Sequence, residues 1–245
     1  FENVMDPYSD ALGLEGSYVI DWHQLTPIHP TPIKLKNPVD AVIYEGHVRD
    51  MTIGLDIVNK GVFEGLIERS KLLKGSLLHY IKRLGMTHLQ LLPIYDFEGV
   101  DDVEKDQLYN WGYNPSFYFG VEGWYAKDPK DPYQRINALR QVINEAHRLK
   151  LGVNMDVVYN HVFNHLTFPY DHLVPGYFYR HNNAKKMTNA SFCGNDVETR
   201  NYMVRRLIVD SLIHFVERFQ IDGFRFDLMG LLALDTMSII ETELR

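Results

Sequence analysis

One cysteine, Cys193, stands among 245 residues. A lone thiol excludes an internal disulfide framework and leaves the compartment open. No apolar run approaches the roughly 20 residues that a membrane-spanning helix needs, so no membrane partner is expected. Positive charge is scarce, with 25 Lys and Arg against 32 Asp and Glu and a net charge of −7. Without a long basic run, the sequence predicts no nucleic-acid partner. There is no G-x-G-x-x-G, no P-loop and no G-x-S-x-G, which argues against nucleotide cofactors and serine-hydrolase chemistry. The first residues, Phe1-Glu2-Asn3-Val4, have neither a basic n-region nor an apolar h-region. They also lack an initiator Met, so the chain is expected to begin inside a longer protein. No internal repeat and no low-complexity tract is present.

Hydrophobic residues make up 45% of the chain, enough for one substantial core. Aromatic content is 13%, including 15 Tyr and 3 Trp; such rings serve as sugar-stacking platforms and as ordinary core. Residues 1–38 carry five of the eleven prolines, Pro7, Pro27, Pro30, Pro32 and Pro38. This density predicts an extended linker leaving an upstream module. The main domain then runs over 39–245.

Strands are predicted at 41–45, 87–93, 151–158 and 221–228, each followed by a helix: 64–84, 133–149, 198–219 and 231–244. Two long loops interrupt the series, a polar one at 95–131 and another at 160–196. The alternation predicts an α/β fold with a parallel sheet and right-handed crossovers. Four β/α units are half of a (β/α)8 TIM-barrel. Every polar cluster follows a strand's C-terminal end, where the pockets of such folds lie.

The stretch Ile221-Asp222-Gly223-Phe224-Arg225-Phe226-Asp227-Leu228 reads as a short buried strand. Arg225 and Asp227, two apart, share one of its faces. Opposite charges on an apolar strand are expensive to bury unless paired. They form either a structural ion pair or the mouth of a pocket, where an ionised Asp227 has the makings of a nucleophile. Asp156 ends the third strand in the same way, followed by Asn160 and His161. It is a partner for Arg225 or a ligand for sugar hydroxyls, and otherwise a strand-end acid capping a loop. His161 and His165 have the spacing of helical zinc ligands, but no Glu follows the first His, and no metal site is expected. Asp101, Asp102, Glu104 and Asp106 loosely resemble a calcium loop without the EF-hand's oxygen spacing or turn glycine. A solvated charged loop is the favoured reading, so no cofactor is predicted and calcium is the one candidate ion. Tyr109, Trp111 and Tyr113 form an aromatic ladder suited to pyranose faces, or simply a loop packed on its own rings.

Together these residues resemble the α-amylase superfamily of glycoside hydrolases, family thirteen. Met155-Asp156-Val157-Val158-Tyr159-Asn160-His161 is similar to its first motif region and Gly223-Phe224-Arg225-Phe226-Asp227 to its second. Tyr-Asn-Trp-Gly-Tyr-Asn-Pro at 109–115 resembles the hallmark of the type I pullulanases. So do Ser191-Phe192-Cys193-Gly194-Asn195-Asp196 and, as the exit from a carbohydrate-binding-like module, Asp6-Pro7-Tyr8. The resemblance implies a retaining glycosidase that cleaves α-1,6 branch linkages in pullulan, amylopectin or related α-glucans. It implies Asp227 as nucleophile and Arg225 as the residue that holds it ionised. Asp156 is the arginine's partner, His161 a donor to the sugar and Tyr113 the ring beneath it, with Trp111 and Asn160 in the substrate site.

Retaining chemistry needs a second carboxyl about 5–5.5 Å from the first. The family supplies it from a Glu ending strand five, with a further Asp from strand seven. Glu241 and Glu243 read as surface helix residues, not as that acid. The 1–245 chain alone is therefore expected to be inactive, and to self-associate or pair with the other half of the barrel through its unpaired strand edges. Two readings compete: a non-catalytic glucan-binding or regulatory relative, and another debranching or branching member of the superfamily.

Overall fold

The computed structural model describes residues 4–13, 16–29 and 35–244. An antiparallel pair, β1 (Ala11–Gly13) and β2 (Gly16–Tyr18), opens the chain. There follow β3 (Ile43–Gly46), α1 (Asp50–Ile53), α2 (Leu77–Arg83), β4 (His88–Leu91), α3 (Pro132–Arg148), β5 (Gly152–Val157), α4 (Pro169–Leu173), α5 (Tyr202–Phe219), β6 (Gly223–Phe226) and α6 (Leu234–Glu243). The last four strands form one parallel sheet in the order β3-β4-β5-β6. Sequence order equals spatial order, so each strand lies beside its predecessor and all C-terminal ends share one rim.

β5 is central, and five of its six residues are buried. A parallel strand covered on both faces has this continuous burial. α3 starts where Asp131 accepts a hydrogen bond from the Tyr133 backbone and Pro132 occupies the first turn, where a missing N–H costs nothing. Its Ile136, Leu139, Val142, Ile143 and Ala146 are fully buried. Truncating one such Leu or Ile to Ala costs about 2–5 kcal/mol. α5 ends at Gln220 in the left-handed conformation.

The linker predicted over 1–38 includes 1–3, 14, 15 and 30–34 (with Pro30 and Pro32), which lie outside the described residues. Of the remainder, Ala11, Ile20 and Leu25 are buried in the main core. Trp22 is covered by the guanidinium groups of Arg140 and Arg218, 5.1 and 4.8 Å from its ring centroid. Tyr8 donates to Asp210 at 2.8 Å.

Three expectations are corrected. The helix predicted over 64–84 is a 3-10 turn at Phe63–Leu66 and the short α2. Between them Lys74 and Gly75 take positive φ, and Ser70 pairs with Gly75, which stops a continuous helix. The loop at 95–131 is not polar throughout: Phe117, Tyr118, Val121, Trp124 and Tyr125 are almost fully buried. They pack as a second aromatic layer, stitched by bridges Tyr95–Val121 and Phe97–Pro115. The fourth strand is shorter than 221–228 and is not buried. β6 is an edge strand with Arg225 exposed, because among the described strands it pairs with β5 alone.

Candidate functional site at the strand ends

β5 and β6 pair with Asp156 opposite Arg225. The pairing places a carboxylate beside a guanidinium before any side-chain choice is made. Arg225 Nη1 lies 2.9 Å from both oxygens of Asp156 and 3.0 Å from Asp227 Oδ1. One guanidinium nitrogen thus links two carboxylates. Asp156 is fully buried, Asp227 mostly so, and Arg225 is 43% exposed. Burial pushes the Asp156 carboxyl above its ordinary range, and the Tyr113 and Arg225 hydrogen bonds pull it back down.

Tyr113, Asn160 and His161 close the network into a ring. Tyr113 Oη donates to Asp156 Oδ2 at 2.7 Å. Asn160 Nδ2 donates to the Asp227 backbone oxygen at 2.9 Å and to its Oδ2 at 3.2 Å. That leaves Asn160 Oδ1 as an acceptor, 2.6 Å from His161 Nδ1. His161 Nε2 lies 2.9 Å from the Tyr113 carbonyl oxygen. Both ring nitrogens therefore face acceptors, which only the doubly protonated ring would satisfy. Burial opposes that charge and pushes His161 down, while the Tyr113 carbonyl and the Asp227 and Asp196 carboxylates pull it up. The neutral ring with its proton on Nδ1 keeps the short bond to Asn160.

Trp111 stands outside this ring. It is 62% exposed and shares a shallow hollow with Tyr109, Asn110, Tyr113 and Asn114. Gly112, between the Trp and the Tyr, has φ +98, and a Cβ there would lie 2.9 Å from the Pro93 carbonyl oxygen. Only glycine combines that conformation with that approach.

His165 does not join His161; its ring packs edge-on against Tyr179. The acidic cluster does not converge either. Asp101 accepts from the backbone of Val103 and Glu104, Asp102 lies 3.7 Å from Arg135, and Asp106 lies 3.4 Å from Arg49. Among the described residues no group of three or more metal-capable side chains is assembled.

Sequence reasoning missed His47, Asp50 and Tyr125, which hold the aromatic loop from behind. His47 Nε2 lies 3.1 Å from the Asn110 carbonyl oxygen and 2.8 Å from Tyr125 Oη, and Tyr109 donates to Asp50 at 2.5 Å. The signal was available, since His47 directly follows β3 just as the other polar clusters follow their strands.

No protein-family model matches the sequence. The pullulanase of Bacillus subtilis (strain 168) is 41% identical over 240 residues, 96% of this chain and 33% of that protein. Pullulanase A of a Streptococcus pneumoniae serotype 4 strain is 36% identical over 259 residues, 93% of this chain and 19% of that one. The crystal structure of pullulanase from Anoxybacillus sp. LM18-11 superposes with a TM-score of 0.93 at 40% identity, covering 98% of this chain and 35% of that chain. The chain corresponds to part of a pullulanase. It spans about a third of the length of the Bacillus relative. The same Anoxybacillus enzyme has been crystallised with maltotetraose and with maltotriose.

Proposed function

We propose that this chain is the first half of a (β/α)8 catalytic barrel, residues 39–245, preceded by a linker over 1–38. The whole protein is a retaining glycosidase that cleaves α-1,6-glucosidic branch linkages in pullulan, amylopectin or a related α-glucan. One observation carries the reading: Asp227 is gripped from two sides, by Arg225 and by Asn160, at the C-terminal end of β6. A nucleophilic carboxylate needs that fixed aim. Arg225 balances its charge and that of Asp156, which acts as the arginine's anchor. Tyr113 offers its ring to the sugar, Trp111 extends the platform, and His161 and Asn160 position the substrate side of Asp227. The maltotetraose and maltotriose complexes of the Anoxybacillus enzyme support a glucan as partner.

In this reading the protonated acid comes from the other half of the barrel, and residues 1–245 alone hydrolyse nothing. Glu241 and Glu243 are exposed on α6. The open side of β6, with Phe224, Phe226, Met237, Ile240 and Leu244 around one hollow, receives that half. No cofactor takes part.

The test is pullulan hydrolysis by the full polypeptide, with the first-formed anomer followed by NMR. Release of the α-anomer, abolished by Asp227→Asn, is the expected result. Binding without hydrolysis by the full polypeptide would overturn the catalytic reading in favour of a glucan-binding relative. The 33% identity to Isoamylase 3 of rice over 79% of this chain keeps a different debranching specificity in view. Cleavage of glycogen with pullulan left intact would establish it.

A further inference from the structure

The segment 160–163 runs between two loops. On one edge His161 Nε2 meets the Tyr113 carbonyl and the Phe163 backbone donates to the Pro115 carbonyl at 2.9 Å. On the other edge Asn195 brackets Val162, accepting from its N–H at 3.0 Å and donating to its C=O at 2.7 Å. The Val197 backbone donates to the Asn160 carbonyl at 3.0 Å. Neighbouring residues of an extended segment offer hydrogen bonds to opposite edges. The aromatic loop and the 189–197 loop thus flank the residues that grip Asp227.

The second loop is rigid at its base. Buried Asp196 accepts from the backbones of Ala190 and Ser191 at 2.8 Å each, and Ser191 Oγ donates to the Asn195 carbonyl at 2.6 Å. On this base Phe192 has φ +63 and a side chain 91% exposed. Both features run against its chemistry. A bulky residue in the left-handed region is strained, and an exposed Phe gains nothing from burial. Glycine would remove both costs. Phe192 lies three residues before Asn195, in the loop that binds the 160–163 segment on the edge away from Pro115.

We propose that Phe192 is a glucan-stacking ring, a second platform that holds a sugar unit on the side of the site opposite the 109–115 loop. The inference rests on the glucan-binding reading above. A flat apolar ring held out by a braced loop matches the apolar face of a pyranose, as tethered rings match other flat partners.

The experiment is calorimetric titration of the full polypeptide with maltotetraose, with melting temperatures recorded alongside, for wild type, Phe192→Gly and Phe192→Tyr. Glycine should weaken binding by about fivefold or more, the scale of one lost ring contact. Its melting temperature should hold or rise, because the positive φ is relieved. Tyrosine should bind like wild type. Unchanged affinity in Phe192→Gly overturns the inference alone. A fall in melting temperature with affinity intact also overturns it, by assigning the ring to packing against the rest of the polypeptide. A wild type that binds no maltotetraose overturns the glucan reading and this inference together.

Discussion

Asp156 and Arg225 sit opposite each other on β5 and β6, with both carboxylate oxygens 2.9 Å from one guanidinium nitrogen. Asp156 is fully buried and its charge has Arg225 as its cation. Removing one partner of a buried pair strands the other, which is costlier than the pair's own net worth. Arg225→Ala should therefore destabilise the protein by about 2–4 kcal/mol, below the fully buried limit because the arginine is partly solvated. Urea unfolding of the variant checks this, and a loss under 1 kcal/mol would mean that Asp156 takes up a proton instead.

Tyr113 combines a ring with a hydroxyl that donates to Asp156 at 2.7 Å. A hydrogen bond to a charged acceptor contributes about 1.5–3 kcal/mol. Tyr113→Phe should lose that much stability yet keep most of the affinity for maltotetraose, since the ring survives. Tyr113→Ala should lose both. Equal affinities for the Phe and Ala variants would show that the hydroxyl, not the ring, serves the sugar.

A pH dependence arises away from the site. Asp96 is buried in the wall behind the aromatic loop, and burial raises it to about 7 despite Arg135. Its Oδ2 has no hydrogen-bond partner and lies where a Cβ on Gly120 would be. Nearby Glu122 accepts from the Phe97 and Trp124 backbones at 2.9 and 2.7 Å. Asp102, Glu98, Arg135 and Lys105 complete the charged surroundings. Between an unfolded value of about 4 and the folded value of about 7, the native state holds a proton that the unfolded chain has released. The contribution of Asp96 to stability therefore falls as pH rises through that window. Other buried groups, His214 and Glu122 among them, titrate in both proteins, so the test is the difference: from pH 5 to 7 the melting temperature of Asp96→Asn should gain on that of wild type. A difference that stays constant over this range would show that Asp96 is ionised in the fold.

Gly112 offers a sharper steric test. Alanine there must adopt φ +98 and place its Cβ 2.9 Å from the Pro93 carbonyl oxygen. Strain of this kind costs about 1–3 kcal/mol. Gly112→Ala should show this loss in denaturant melts and should weaken glucan binding by displacing Trp111 and Tyr113. Full affinity in the variant would mean that the loop's conformation is unimportant for binding.

Much of this was legible in the chain itself. Periodicity located α3 and α5 to within a few residues of their ends, because each buries one stripe of apolar side chains and carries its own boundary signals. Motif spacing singled out Asp156, Asn160, His161, Arg225 and Asp227. The failures have a common cause. The helix expected over 64–84 and the polar loop expected over 95–131 were judged on local composition. Positive φ at Lys74 and Gly75 closes a tight turn that composition averaged over the segment does not register, and the docking of Phe117 to Tyr125 onto the core depends on distant partners.

By itself the sequence determined the alternation of strands and helices, the chemical identities at the strand ends and the kinship with pullulanases, since each resides in neighbouring residues. Only the tertiary structure decided that Tyr113, 43 positions before Asp156, donates to it, that one arginine nitrogen joins two carboxylates, and that His47 braces the aromatic loop. These depend on strand register and loop docking, which bring groups far apart in the chain within 3 Å, and no local pattern encodes such a distance.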